Sequence, residues 1–114
     1  MSETLFLDII ERKIPAEIVF ENDEVLGFLD INGQAPHHVL FVPKTHIRTI
    51  NDIQPEQAGL VGKLFLAAQQ YAREIGVAEQ GYRTVMNCNE SAGQTVFHIH
   101  LHFLAGRTFS WPPG

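Results

Sequence analysis

His98, His100 and His102 alternate with Ile99, Leu101 and Phe103 near the end of a 114-residue chain. In a β-strand successive side chains point to opposite faces. The alternation therefore predicts three imidazoles on one face and three apolar groups on the other, the apolar face packing on a helix. Three chemistries fit such a row. The plainest is a polar, half-exposed strand. The second is a metal site, because imidazole is a common zinc ligand. Three consecutive strand histidines suit one ion poorly. A strand rises about 3.3 Å per residue, so the outer Cα atoms lie roughly 13 Å apart, and their rings approach from nearly opposite sides. Two of them joined by His38 or His46 would suit it better. The third is nucleophilic and acid–base work on a phosphoryl group: a neutral imidazole attacks while a flanking imidazolium protonates the leaving group. That division needs neighbours with different pKa values.

The loop before the histidines fits the third chemistry. Ser91-Ala92-Gly93-Gln94-Thr95 enters the segment, and a glycine there permits unusual backbone angles, so that nearby N–H groups could cradle phosphate oxygens. An ordinary loop would look similar; the place of Gly93 beside the histidines is what raises it.

Other elements must hold this face in place. Leu5, Phe6, Ile9 and Ile10 recur at helical spacing before Pro15, with Ser2 or Thr4 as the expected cap. Ile18–Phe20 and Val25–Asp30 read as a hairpin around Asn22-Asp23. Asn32-Gly33 and Pro36 mark a loop, and His38–Val42 reads as a third strand closed by Pro43. Pro55 opens the main helix, whose expected stripe is Ala58, Val61, Leu64, Phe65, Ala68 and Tyr71, with Gly76 as its end. Tyr82–Cys88 and Val96–Leu104 read as the last strands. Short connections predict an antiparallel α+β domain with its helices against one sheet face.

Composition bounds the partners. The length supports one domain, and an apolar content of 45% is that of a globular chain rather than a disordered one. Eight basic against thirteen acidic residues give a net charge of −5 without a basic cluster. Bulk nucleic-acid binding through phosphates is therefore not expected. An anionic ligand would be held by local groups. Cys88 is the single cysteine, so no internal disulfide can form, as suits a reducing compartment; we read it as a small buried hydrophobe. No apolar run is long enough to span a membrane and no basic leader precedes one, so a cytoplasmic location is expected.

The run from His98 to Leu104 matches the His-φ-His-φ-His-φ-φ signature, with φ apolar, and the chain resembles the histidine triad (HIT) family. Asp30-Ile31, Gln34-Ala35-Pro36, His38, Val42-Pro43-Lys44, His46, Gly81-Tyr82-Arg83, Asn87 and the ending Trp111-Pro112-Pro113-Gly114 resemble its Hint branch. The resemblance spans nearly the whole chain. It departs at Ala92, where glycine is frequent, and at Thr95, where serine is common. Gly93-Gln94-Thr95-Val96 is also similar to the Fhit-type branch. The resemblance implies a HIT-like α+β fold: a five-stranded antiparallel sheet with one long and one short helix, continued across a homodimer. It implies hydrolysis of purine nucleoside 5′-phosphoramidates and related acyl-nucleotides, without cofactor or metal. His100 would be the nucleophile, and His102 would contact the phosphate and assist the leaving group, with His98 and His38 orienting them. Asn87, Gly93, Gln94 and Thr95 would surround the phosphate. Asp30 would hold the ribose, and Phe6, Ile9, Phe28 and Ile31 would line the base pocket. Dinucleoside-polyphosphate hydrolysis of the Fhit type, or a nucleotide-binding adaptor with weak turnover, are the alternatives.

Overall fold

The computed structural model describes residues 5–114; the expected cap at Ser2 or Thr4 lies outside them. A short helix α1 (Leu5–Ile10) precedes strands β1 (Ile18–Glu21), β2 (Val25–Leu29) and β3 (His37–Pro43). The long helix α2 (Ala58–Glu74) and strands β4 (Arg83–Val85) and β5 (Leu101–Ala105) follow. The strands form one sheet in the order β1-β2-β3-β5-β4, and every neighbouring pair is antiparallel. Among the described residues no helix is long and apolar enough to cross a membrane.

The period of two along β3 divides the interior. Val39 and Phe41 join Leu64, Ala67, Ala68, Tyr71 and Ala72 of α2 in one cluster, together with Ile99, Leu101 and Phe103. Leu40 and Val42 point the other way and join Phe6 and Ile9 of α1 with Leu26 and Phe28. The helices thus lie on opposite faces of the sheet, not on one face as the sequence reading had it. A strand buried on both sides, as β3 is, accepts apolar groups at every position. Burying each large aliphatic side chain contributes roughly 1.5–3 kcal/mol.

The α2 face is rotated from the expected stripe. Ala67 and Ala72 are buried, whereas Ala58 and Phe65 are exposed. The small side chains let the helix sit close to Phe41 and Phe103, and Phe65 falls outside that contact. Pro55 opens a single 3₁₀ turn (Pro55–Gln57) ahead of the helix, and Gly76 follows the helix with a φ of +78° that a Cβ would disfavour.

The last strand is shorter than the apolar alternation suggests, beginning at Leu101 rather than Val96. The β3–β5 register pairs Phe41 with Leu101. Two residues on, it would set Pro43 opposite Ile99, and proline has no N–H to give. The Ile99 N–H bonds instead to the Ile47 carbonyl at 2.8 Å. β4 is shorter than expected as well, ending at Val85, which faces His102.

Candidate active site

The ladder itself gathers the site. Leu40 on β3 faces His102 on β5, and His38 faces Leu104, so His38 and His102 share the α1 face. Just past the end of β2, the Asp30 N–H bonds the His38 carbonyl at 2.9 Å and brings its carboxylate to 3.5 Å from His38 Nε2. Phe6 of α1 lies edge-on to His100 with ring centroids 5.0 Å apart and to His98 at 6.0 Å. Helix α1 thus removes water from two of the three triad rings.

Hydrogen bonds fix the tautomers. His100 Nδ1 lies 2.8 Å from the His98 carbonyl. A carbonyl only accepts, so Nδ1 carries the hydrogen and Nε2 keeps its lone pair. The Gln34 N–H donates to His38 Nδ1 at 3.0 Å, which places the His38 hydrogen on Nε2. That N–H donates to His102 Nδ1 at 2.9 Å, and the His102 hydrogen then sits on its own Nε2. His98 Nε2–H donates to the Pro43 carbonyl at 2.7 Å. Among the described residues the one sealed side-chain nitrogen without a hydrogen bond is His98 Nδ1. Among the described residues His100 Nε2 and His102 Nε2 have no hydrogen-bond partner, and they are not sealed. The arrangement presents a bare lone pair and an N–H from rings 5.0 Å apart.

All four rings favour the neutral form. Burial pushes His98 down from 6.5 to about 4, more than its bond to the Pro43 carbonyl raises it. Burial likewise lowers His102 to about 4, helped by its neighbours His100 and His38. His100 and His38 are lowered by burial, against weaker raising influences that include the Asp30 carboxylate. Burial thus disfavours, in the free protein, the flanking imidazolium expected from sequence, and favours His102 as a neutral donor.

A cleft of ≈ 450 Å³ opens onto these rings, and Phe6, Ile9, Phe28, Asp30, Ile31, Asn87, Gly93, Thr95, His100 and His102 all line it. Sequence reasoning missed Ile14, Pro15 and Ala16, which extend its apolar wall; no periodicity marks them. Phe6, Ile9 and Phe28 are also core, whereas Ile31 is 96% exposed at the rim. Three expected residues do not line it: His38, which is buried and bonded to His102, His98 and Gln94. His98 is fully buried behind His100. Gln94 is 1% exposed, and its side chain is consumed internally: Oε1 accepts from the Asn89 N–H, and Nε2 donates to the Arg48 and Val96 carbonyls. Its own N–H bonds the Asn89 carbonyl, and the Gly93 N–H bonds the Glu90 carbonyl. These two amides are thus not free to cradle an anion. Gln94 instead holds Asn89 at a φ of +68°, a strained value for a residue with a Cβ. Gly93, at +95°, turns the chain toward Thr95, whose hydroxyl forms no hydrogen bond among the described residues.

One ligand atom each from Asp30, His38 and His102 lie within 4.8 Å of one another, a spacing that could hold a cation. The tautomer opposes it. Ligation through His38 Nε2 would move that ring's hydrogen to Nδ1, against the Gln34 N–H that already points there.

An α+β sheet that shields one face of its last strand with a short helix, and opens a neutral, tautomer-fixed imidazole pair beside an apolar cleft, defines a ligand-binding domain equipped for nucleophilic chemistry. Its relatives agree in sequence and in shape. The family model described as HIT domain matches residues 11–109. The purine nucleoside phosphoramidase of Escherichia coli K12 is 46% identical over 105 residues, covering 92% of this chain and 88% of its own. An uncharacterized HIT-like protein of Synechocystis is 49% identical over 112 residues, covering 98% and 97%. The crystal structure of a HIT family hydrolase from Legionella pneumophila Philadelphia 1 superposes with a TM-score of 0.94 at 47% identity, covering 96% of this chain and 98% of that one. The chain belongs to the HIT family.

Proposed function

We propose that the protein hydrolyses purine nucleoside 5′-phosphoramidates and related acyl-nucleotides, releasing AMP or GMP through a nucleotidyl intermediate on His100. The observation that carries this reading is the His100 Nδ1 to His98 carbonyl bond, which leaves Nε2 as an unprotonated nucleophile at neutral pH. The 46% identity to the E. coli purine nucleoside phosphoramidase supports the substrate class.

In the first step His100 Nε2 bonds to phosphorus and the P–N bond breaks. Its electron pair goes to nitrogen, which departs as an amine after taking a proton from solvent. The positive charge developing on the His100 ring is met by the His98 carbonyl. His102 Nε2–H, held in register by His38, donates to a phosphoryl oxygen and to the departing nitrogen. In the second step water bonds to phosphorus, the N–P bond breaks, the pair returns to Nε2 and a proton leaves to solvent. Asp30 accepts from the ribose hydroxyls, and the Thr95 hydroxyl and Asn87 amide donate around the phosphate. The walls from Phe6, Ile9, Phe28 and Ile31 offer no polar side-chain group to read a base edge. They fit either purine by area and shape.

The same reading includes a homodimer. β4 is a sheet edge, bonded on one side only, and Trp111 is 82% exposed; pairing of edges and burial of the tail in a partner would cover both. The test of the function is turnover by purified protein of adenosine and guanosine 5′-phosphoramidate beside a diadenosine polyphosphate. Phosphoramidates should be preferred, with the two purines within about tenfold of each other. Preferential cleavage of the dinucleotide, or AMP binding without turnover of any of them, would replace the proposal with the Fhit-type or adaptor reading.

A further inference from the structure

His46 has no part in the chemistry above, yet it is tied to the backbone that carries it. Residues 97–100 lie outside the sheet, so no strand ladder fixes their peptides. The segment from Pro43 to Arg48 holds them instead. The Pro43 carbonyl accepts from His98 Nε2–H at 2.7 Å. The Ile47 carbonyl accepts from the Ile99 N–H at 2.8 Å, and the Arg48 carbonyl accepts from Gln94 Nε2 at 3.0 Å. His46 supplies a side-chain donor from this segment to the triad backbone: its Nε2–H reaches the Phe97 carbonyl at 2.8 Å. Its ring also lies against that of His98, with centroids 5.1 Å apart and planes 35° from parallel.

The His46 hydrogen bond fixes the peptide before His98, and the ring contact fixes the His98 side chain. The peptide after His98 is held at its Ile99 N–H by the Ile47 carbonyl and turns its own carbonyl, that of His98, to accept from His100 Nδ1. His46 and Ile47 thus hold the two peptides that flank His98. Were the His98 carbonyl to turn away, Nδ1 would lose its acceptor, and the His100 hydrogen would be free to move to Nε2, the atom that must attack. We propose that His46 is a positioning residue that selects the reactive tautomer of His100 through the Phe97–His98 backbone. The inference rests on His100 being the nucleophile, and it deepens that reading.

Two variants separate the contacts. His46→Phe keeps a ring against His98 but removes the donor. His46→Gln places an amide N–H at similar reach and removes the ring. Both are compared with the full-length wild-type protein for phosphoramidate turnover, AMP affinity and thermal unfolding. Long-range ¹H–¹⁵N spectra of the histidine rings report the His100 tautomer without reference to activity. The expected result for His46→Phe is a kcat lowered by about tenfold or more, with KM and AMP affinity within about twofold, the loss typical of a misplaced reacting group. Its His100 ring should show a mixed tautomer in place of a fixed Nδ1–H form. His46→Gln should recover kcat to within about threefold of wild type and restore the fixed tautomer. An unchanged His100 tautomer in a folded His46→Phe variant would overturn the proposal, whatever its kcat. So would failure of a folded His46→Gln variant to restore the tautomer. A shifted tautomer in a protein whose wild type turns over no phosphoramidate would uphold the positioning and sink the proposed function instead.

Discussion

Lowering the pH should destabilise this protein through His98. The ring is fully buried, its Nε2–H is committed to the Pro43 carbonyl and its Nδ1 has no partner. Protonation would create a charge with nowhere to place its second hydrogen. Burial accordingly lowers its pKa from 6.5 to about 4. Between those values the unfolded chain binds the proton and the folded chain does not, so stability rises with pH across this window. It is fully present above about pH 6.5, falls as the pH drops toward 4, and loses nothing more from this group below that. Between pH 7.5 and 4.5 the loss is roughly 2–3 kcal/mol from His98 alone. With a urea m-value of about 1–1.5 kcal/mol/M for a domain of this size, the midpoint should fall by roughly 2 M from that term. His98→Leu removes the titration. It should be less stable than wild type at pH 7.5 by about 1–3 kcal/mol, because the Pro43 carbonyl is left unpaired, yet lose roughly 2–3 kcal/mol less than wild type on going to pH 4.5. Urea unfolding of both proteins at the two pH values gives the double difference. Equal pH slopes would refute the reasoning, since they would mean that the buried ring carries the proton as readily as the unfolded chain.

Asp30→Ala should weaken AMP binding in titration calorimetry by about tenfold, the range for a lost charged hydrogen-bond acceptor, while leaving thermal unfolding within a few degrees; unchanged affinity would remove the ribose role. Turnover should survive exhaustive chelation, given the opposed His38 tautomer, and loss on chelation with recovery on added zinc would reverse that conclusion. Sedimentation at micromolar concentration should give twice the 12.8 kDa chain mass; a monomer would count against the β4 edge and the Trp111 tail as an interface.

Much of the site was legible because the period of two is a strong signal where it coincides with real strand. Leu101, His102 and Phe103 obey it, and Ile99 and Phe103 pack on α2 as the alternation required. The same pattern misled on how far the strand extends: His98 and His100 lie on the α1 side against Phe6, yet outside the sheet. An alternating sequence does not reveal that the neighbouring strand ends in a proline, and Pro43 is what releases Ile99 from the ladder. The row of three equivalent imidazoles became a buried anchor, a nucleophile candidate and a donor, each with a different partner. The role of Gln94 was illegible for a related reason: a polar residue beside a glycine in a loop looks like a ligand contact, and only its burial and three carbonyl or amide partners show it to be a brace. α1 was read correctly as a helix, but a helix of six residues does not carry in its sequence which face of a two-sided sheet it will cover. The neutral state of the triad is likewise a property of packing. Phe6, far away in sequence, is one of the side chains that shut water out from His98 and His100.

The central claim is that His100 Nε2 forms the bond to phosphorus, and trapping the intermediate tests it most directly. Wild-type protein mixed with an adenosine 5′-phosphoramidate, quenched within milliseconds into alkali and digested for mass spectrometry, should carry an adenylyl group on the peptide containing His100, with fragmentation placing it on that ring. His100→Ala should bind AMP, carry no adduct and lose turnover by about 10³-fold or more. An adduct on His98 or His102, or substantial turnover by His100→Ala, would contradict the account.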